Sequence, residues 1–301
     1  MADLALTLIM AVWGSSFAIL RSLLGNAAAS PLSLVAVRMA LASALLLGGM
    51  AATRSGRTQL RGLRGELLRD GLVAGGLLGL GFLLQTEGLQ RTTASRSGFL
   101  TGTLVVFTPL IEFVLFRKRP APPALAGVLL AFVGITVLSA PWSGAARPTA
   151  LGDALTLGCA VVFAGQIVAL GRIARKHPVL PLLLVQLATT GAVAAIAGPL
   201  VETQHFSGAP RLWLALLYLA VFATLLAFGV QTWAQRILPS VRVALISSLE
   251  PVFAAIWAAI LIGERLSLRE LVGGAMIVLG VAVGEAGAAL RARARGPAEP
   301  V

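Results

Sequence analysis

A glutamate–proline pair lies inside a long apolar stretch near the C-terminal end of the chain. Glu250 and Pro251 fall within the segment 239–262, most of which is apolar. An ionisable group inside a membrane is costly unless it is paired or lines a watery cavity. The proline removes a backbone hydrogen bond and bends the helix, which frees a carbonyl upstream. Glu250 can therefore meet a substrate ammonium or carry a proton, or it can accept a structural hydrogen bond at the kink. Both interpretations stay open.

Four apolar segments carry an aromatic residue with a hydrogen-bonding residue about one helical turn away. The pairs are Trp13 with Ser16, Phe82 with Gln85, Phe99 with Thr103, and Phe163 with Gln166. Such pairs suit a solute with a flat apolar end and a polar end, and the rings attract an ammonium group. Packing is the alternative, because glutamine in a membrane helix can also bond to a neighbouring helix. We add Ser248 as a further candidate for lining the same cavity.

Two charged residues lie inside the second and third apolar segments. Arg38 can bind a substrate carboxylate, since a guanidinium group makes two parallel hydrogen bonds to it. The alternative that we favour is a structural ion pair between Arg38 and Glu87, because buried charges usually find partners.

A second proline, Pro109, corresponds to Pro251 in the other half of the chain, with Thr108 in the place of Glu250. Interrupted helices at matching places in two halves of a transporter point to its binding site. We predict hinges at both prolines.

The composition identifies the class of protein that carries these residues. The chain has 301 residues, of which 57% are hydrophobic and 12% charged, and its mean hydropathy is +0.91. About 20 apolar residues span a bilayer. Ten segments of this kind are predicted, at 3–24, 30–52, 67–89, 94–116, 122–140, 150–171, 179–201, 211–233, 239–262 and 268–290. They lack the polar faces that a soluble helical protein needs.

The two halves of the chain resemble each other. The recurrences, 146 or 150 positions apart, are Leu125, Gly127 and Gly134 with Leu271, Gly273 and Gly280, and Asp3 with Asp153. Five spans in each half place the second half upside down, as in many secondary transporters. We therefore predict an all-α membrane protein with ten transmembrane helices in two inverted five-helix repeats around a central cavity. The repeats are residues 1–145 and 146–290, and a basic cytoplasmic tail follows at 291–301.

The net charge of +12 is explained by topology and predicts no nucleic-acid partner. With the N-terminus inside, sixteen of the 24 lysines and arginines lie in cytoplasmic segments and six in outer loops. This excess predicts a multi-pass protein of the bacterial inner membrane with both termini in the cytoplasm. Cys159 is the single cysteine, so no intrachain disulfide and no cysteine-based metal site can form. We expect neither a metal nor another cofactor.

Several motifs together resemble the EamA family of drug/metabolite transporters. They are Trp13-Gly14-Ser15-Ser16-Phe17, Arg38 in the second segment, Leu249-Glu250-Pro251-Val252-Phe253, and Gly263-Glu264 followed by Gly273, Ile277 and Gly280. The resemblance covers essentially the whole chain. Within that family the chain is most similar to YddG-type exporters of aromatic amino acids. The resemblance implies a ten-helix basket that moves solutes through a central cavity by alternating access.

The predicted function is that of a secondary transporter, and its partners are a small-molecule substrate and the lipid bilayer. It exports small amphipathic metabolites, with aromatic or neutral amino acids and cationic drugs as the expected substrates. Another metabolite class, such as nucleobase or sugar derivatives, is the alternative. An intramembrane enzyme is disfavoured, because His177 and His205 lie in loops and no nucleophile–base pair or metal motif is present.

Overall fold

Helices make up nearly all of the chain that the structure describes. The computed structural model describes residues 1–25, 28–92, 94–140, 149–263 and 265–294. The helices are α1 (Ala2–Gly25), α2 (Pro31–Ala52), α3 (Arg54–Arg61), α4 (Glu66–Leu89), α5 (Ala94–Gly102), α6 (Leu104–Phe116), α7 (Pro122–Ser139), α8 (Ala150–Ile173), α9 (Val179–Val201), α10 (Pro210–Ala220), α11 (Ala227–Gln235), α12 (Ser240–Ser247), α13 (Glu250–Ile262) and α14 (Leu268–Ala294). Prolines open α2, α7 and α10, because the first turn of a helix needs no backbone N–H from its residues.

Nine of the described spans are long and apolar enough to cross a membrane. They are Pro31–Ala52, Glu66–Leu89, Ser97–Phe116, Pro122–Ser139, Ala150–Ile173, Val179–Val201, Pro210–Gln235, Ser240–Leu261 and Leu268–Gly287. In α1 the apolar stretch Ala2–Ser16 is shorter than these. The predicted all-helical membrane protein is confirmed at this level, while ten spans and their inverted order stay predictions.

The polar connector after α2 contains the short helix α3. Thr53 starts this helix by accepting a hydrogen bond from the backbone N–H of Gly56 at 3.1 Å, which satisfies one free donor of the first turn. The predicted boundary between the repeats at 145/146, Glu264, and the tail residues 295–301 lie outside the described residues.

Arg242 joins three helices at one end of the bundle. Its guanidinium lies 2.9 Å from Asp3 at the start of α1 and also forms an ion pair with Glu285 near the end of α14. Arg242 itself belongs to the first turn of α12. The starts of α1 and α12 and the end of α14 therefore share one side of the protein.

The same end also gathers parts of α2, α4, α6, α8 and α9. The imidazole of His177, between α8 and α9, lies 2.9 Å from Asp70 in the first turns of α4. Gly171 of α8 approaches Ser240 of α12, and a cavity described below joins the ends of α6 and α8. We call this side the basic end, because it carries the cations of the segments that follow α2, α6 and α8.

The contact between α7 and α14 is set by four glycines, Gly127, Gly134, Gly273 and Gly280, which we call the glycine seam. A Cβ on Gly127 would lie 2.5 Å from the oxygen of Gly280, and one on Gly280 would lie 2.7 Å from the oxygen of Gly127. Likewise, a Cβ on Gly134 would lie 2.8 Å from the oxygen of Gly273, and one on Gly273 would lie 2.8 Å from the oxygen of Gly134. The seam brings the two helix backbones into direct contact, as small residues do in membranes.

Glycines of α4 serve two neighbours. Gly71, Gly75 and Gly79 face α9, where an added Cβ would overlap the side chains or backbone of that helix. Gly81 and Gly88 face α8 in the same way. This spacing of four residues therefore holds α4 close to the second half of the chain, as small-residue packing requires.

Two membrane spans each contain a tightened turn near their middle, where the backbone stays helical but its hydrogen bonds shift to a spacing of three residues. We call each of these turns a helix break. One breaks between α5 and α6 at Thr103, whose hydroxyl donates to the carbonyl of Leu100 at 2.5 Å. The other breaks between α12 and α13, where the hydroxyl of Ser248 donates to the carbonyl of Leu245 at 2.5 Å. A third span contains a π-helical turn, Val221–Leu226, between α10 and α11. Such turns widen a helix locally and occur often at functional sites.

Candidate functional site

Trp13 lies where three apolar clusters of the core meet. Its side chain packs against each of them, and its ring lies 5.3 Å from that of Phe228 on α11. The indole Nε1 donates a hydrogen bond of 2.9 Å to the carbonyl of Ala223. Ala223 belongs to the π-helical turn, where the regular helical hydrogen-bond pattern is shifted. Trp13 therefore connects α1 to an irregular backbone segment near the centre of the bundle.

Phe82 and Phe163 form an edge-to-face pair between α4 and α8. Their ring centres are 5.6 Å apart with an angle of 79°, a geometry that the charge distribution of the rings favours. Gly81 has no side chain, and this leaves room for the ring of Phe163. Trp13, Phe82, Phe163 and Phe228 all pack in or against one apolar cluster, and we call these four rings the aromatic cluster.

Arg38 adds a positive charge to the aromatic cluster. Its guanidinium carbon lies 5.3 Å from the centre of the Phe82 ring, and the residue is only 7% exposed. Its Nε finds no hydrogen-bond partner among the described residues. A buried donor without a partner is costly, so this atom marks a place where water or a ligand group belongs.

The expected ion pair between Arg38 and Glu87 is wrong. Glu87 pairs with Arg91, one turn further along the same helix, at 2.5 Å. This pair lies at the end of α4, opposite the basic end, where Arg91 also contacts the start of α8 through the hydroxyl of Thr149. Residues four positions apart on one helix pair readily because they lie next to each other on its surface. Arg38 instead contacts the ring of Phe82.

The remaining members of the predicted aromatic–polar pairs lie in different surroundings. Phe99 packs on another cluster, which Trp13 also contacts but Phe82 and Phe163 do not, and its ring lies 6.0 Å from that of Phe132. The hydroxyl of its partner Thr103 is used at the helix break. Ser16 is buried, and its hydroxyl donates to the carbonyl of Trp13 at 2.7 Å. The structure therefore brings Trp13, Phe82 and Phe163 together, whereas Phe99 shares a cluster with Trp13 alone among them.

Buried glutamines carry unpaired amide groups. Gln166 is 2% exposed, and its Nε2 has no partner in the described part of the chain. Gln186 on α9 is fully buried with both amide atoms unpaired, and Gln231 on α11 has an unpaired Oε1. Gln85 is half-buried, and no hydrogen bond of its side chain is found within the described residues. Buried amides of this kind need water or a polar solute.

Glu250 is the first residue of α13, directly after the break at Ser248. It is half-buried, and its carboxylate makes no hydrogen bond or ion pair with any described residue. Pro251 occupies the first turn of α13, where a proline costs no helical hydrogen bond. Next to it, α1 and α13 touch closely, since a Cβ on Gly14 would lie 2.7 Å from the backbone nitrogen of Ala254.

Pro109 and Pro251 differ in their relation to the helix breaks. Pro251 lies three residues after Ser248, whereas Pro109 lies inside α6, six residues beyond the break at Thr103. The matching interruptions of the two spans are therefore marked more closely by the hydroxyl residues Thr103 and Ser248 than by the prolines. A hinge at Pro109 stays a prediction.

Sequence reasoning missed several residues of this region. Phe228 packs against Trp13 with the ring planes tilted by 59°. Gln235 donates from Nε2 to the carbonyl of Ile167 at 2.8 Å, which connects α11 to α8. Gln186, like Gln235, is a fully buried glutamine. The available signal was a glutamine in the middle of an apolar segment, because polar residues inside membranes face the protein interior.

Two cavities open at the basic end, and no ring of the aromatic cluster lines either of them. One of about 530 Å³ lies beside α2, α3 and the start of α9. The other, of about 380 Å³, lies between the ends of α6 and α8 and the start of α12. None of the predicted site residues lines either of them. Within the described residues, no group of three or more metal-ligating side chains comes together.

The fold and the sequence match known membrane proteins. The model of the EamA-like transporter family matches residues 1–140 and 150–283. A solved crystal structure superposes with a TM-score of 0.78 over 94% of this chain and 96% of the other, at 21% identity. At this identity, the superposition supports the fold alone.

Similar proteins of known sequence include transporters. An uncharacterized transporter of Archaeoglobus fulgidus is 32% identical over 94% of this chain and 85% of its own length. A probable amino-acid metabolite efflux pump of Salmonella typhimurium is 29% identical over 63% of this chain and 66% of its own length.

Proposed function

The chain belongs to the EamA-like transporter family, and from that premise we propose that it exports small amphipathic metabolites by alternating access. The proposed substrates are aromatic or neutral amino acids, with cationic drugs as a further group. The named function of the Salmonella relative, amino-acid metabolite efflux, agrees with this class. Solutes of this class call for a site inside the bundle that takes both an apolar and a charged group.

The position of Arg38 over the aromatic cluster is the observation that carries the proposal. The guanidinium provides a partner for the carboxylate of a solute. The rings of Phe82, Phe163 and Trp13 provide an apolar surface for the side chain of that solute. The unpaired amide of Gln166 and the free carboxylate of Glu250 are further polar groups on helices of the same core. An amino acid with a flat side chain fits this set of groups, since its charged and apolar parts each find a matching partner.

Alternating access is supported by how the two halves contact each other. The glycine seam exchanges contacts reciprocally between α7 and α14, as a two-fold relation between inverted repeats would produce. The helix breaks at Thr103 and Ser248 place a local departure from regular α-helix in one span of each half, and discontinuous helices occur at many transporter sites. We propose that residues 1–145 and 146–290 are the inverted repeats and that α1 provides the tenth span.

The basic end is proposed to face the cytoplasm of a bacterial cell, with the protein in the inner membrane. Arginines and lysines are retained on the cytoplasmic side during insertion. Asp3 lies at this end together with the start of α12, so the N-terminus would be cytoplasmic. The tail at 291–301 would follow α14 on the same side.

Counterflow in proteoliposomes with a panel of labelled solutes tests the substrate class. The panel contains aromatic, neutral and charged amino acids, quaternary amines, nucleobases and sugars. We expect exchange of aromatic or neutral amino acids, and a loss of exchange in Phe82→Leu but not in the matched variant Phe113→Leu, whose ring lies near the end of α6. Exchange of nucleobases or sugars alone would favour the alternative metabolite class and contradict the amino-acid proposal.

A further inference from the structure

The cavity between α6, α8 and α12 is lined by positive charge, and we call it the basic cavity. Its walls carry Lys118, Arg172, Arg175 and Lys176, together with Glu112, Phe116 and Ser240. The cations come from the segments at the ends of α6 and α8, which are far apart in the sequence. Topology alone requires cations on this side of the membrane, but it does not require them to converge on one cavity of about 380 Å³.

One of the cations is held in place by an aromatic ring. The guanidinium carbon of Arg172 lies 3.2 Å from the centre of the Phe116 ring, and stacking of this kind orients the guanidinium plane. Because Arg172 is stacked in this way, it loses less freedom when it binds a ligand than an unrestrained surface arginine does. The guanidinium of Arg172 is therefore preorganised to bind an anionic group.

The start of α12 adds backbone donors to the same cavity. Pro239 and Ser240 line it, and no side chain caps this helix. The first N–H groups of a helix have no partner inside it, and they attract phosphate groups together with the helix dipole. Glu112, which is 8% exposed and has no partner among the described residues, faces the cavity with a negative charge.

Membrane-facing residues lie next to this site. Val114 and Leu115 on α6 are 59% and 63% exposed, and Ile237 before α12 is 58% exposed. Such apolar surface on a membrane protein faces the acyl chains of lipids. A ligand with a phosphate group in the basic cavity and chains along α6 would satisfy both surfaces, and free phosphate would satisfy only the first.

We propose that the basic cavity binds the phosphate group of an anionic lipid of the adjoining leaflet. Basic pockets between transmembrane helices on the cytoplasmic side bind lipid headgroups of this kind in other membrane proteins. Bound there, the headgroup would link the end of α6 to the start of α12, which belong to the two interrupted spans. The proposal is independent of the transported substrate.

The test measures binding without transport. Cys159 is the single cysteine and is fully buried, so the temperature at which a thiol-reactive dye labels it reports unfolding of the purified full-length protein. Dioctanoyl phosphatidylglycerol is titrated against dioctanoyl phosphatidylcholine and inorganic phosphate. We expect phosphatidylglycerol to raise this temperature at concentrations where phosphatidylcholine and inorganic phosphate do not.

Three variants decide whether the cavity is the site. Arg175→Gln should raise the half-maximal concentration of phosphatidylglycerol roughly fivefold, because one cation near a membrane surface contributes about 1 kcal/mol. Arg61→Gln removes the same charge from α3, outside the cavity, and should leave it unchanged. Glu112→Gln removes a negative charge from the wall and should lower it.

Several results would overturn the proposal. Equal increases in the half-maximal concentration of phosphatidylglycerol for Arg175→Gln and Arg61→Gln would show unspecific attraction to charge. If phosphatidylglycerol did not shift the labelling temperature at all, no site would exist. An equal shift by inorganic phosphate would assign the cavity to a soluble phosphate compound and contradict the lipid. Should Glu112→Gln fail to fold, the comparison of Arg175→Gln with Arg61→Gln still decides.

Discussion

The guanidinium of Arg38 lies over the ring of Phe82, with 5.3 Å between its central carbon and the ring centre. A cation held over a ring away from water gains about 2 kcal/mol or more, so the ring substitutes in part for the missing carboxylate. The remaining donor capacity of Arg38, including the unpaired Nε, stays open to a solute.

Replacement of Arg38 by glutamine should weaken the transport of substrates that carry a carboxylate. A hydrogen bond to a charged group contributes about 1.5–3 kcal/mol, so we expect kcat/KM for labelled phenylalanine to fall roughly tenfold or more. Phenylalanine amide, which lacks the carboxylate, should lose much less. Equal losses for the two solutes in proteoliposome counterflow would assign Arg38 to packing and contradict its role in binding.

Replacement of Glu250 by glutamine tests whether this carboxylate carries a proton. Glutamine keeps the size of the side chain but cannot exchange a proton, so flux in the variant should no longer respond to a pH jump across the proteoliposome membrane. Solute exchange at constant pH should remain measurable. Wild type and Glu250→Gln with the same flux and no dependence on pH would remove the proton role and leave facilitated diffusion.

Replacement of Gly75 by alanine should destabilise the protein, whereas the same change at Gly76 should not. A Cβ at position 75 overlaps the backbone of α9, and one at position 76 meets nothing within 4 Å. Overpacking costs about 1–3 kcal/mol, while alanine at an open helical position stabilises by up to about 1 kcal/mol. Thermal unfolding followed at Cys159 measures both, and equal shifts in the two variants would contradict the close packing of α4 on α9.

Replacement of Arg242 by glutamine should loosen the basic end. It leaves the carboxylates of Asp3 and Glu285 without their shared cation, and we expect a loss of about 1 kcal/mol or less, since these groups are partly exposed. In a double-mutant cycle, Glu285→Gln should cost less when Arg242 is already replaced. Added salt should reduce the effect, and strict additivity of the two substitutions would show that the pair contributes nothing.

The membrane class was predictable from the sequence, because the length of an apolar segment is a local property. The partner of Arg38 was not. Arg38 and Glu87 lie in neighbouring predicted spans, but which residues lie side by side depends on the depth and rotation of each helix, and these are set by packing. Likewise, the sequence marks Pro109 as a kink, whereas the break of that span falls at Thr103.

Local irregularities were equally hidden. No residue type within Val221–Leu226 predicts a π-helical turn. The turn depends on how α10 and α11 pack against their neighbours and on the hydrogen bond from Trp13 to Ala223. The unpaired glutamine amides could be foreseen only as polar residues inside apolar segments. Their lack of partners is a property of the packed bundle.

The glycine seam has a genetic consequence. When a substitution enlarges a residue in an ordinary core, a second substitution can restore the fit by shrinking its neighbour. Where glycine faces glycine, as Gly127 faces Gly280, the neighbour has no side chain left to remove. Second-site suppressors of a Gly127→Ala defect should therefore be absent from α14 at position 280 and should arise instead in helices that allow α7 and α14 to move apart.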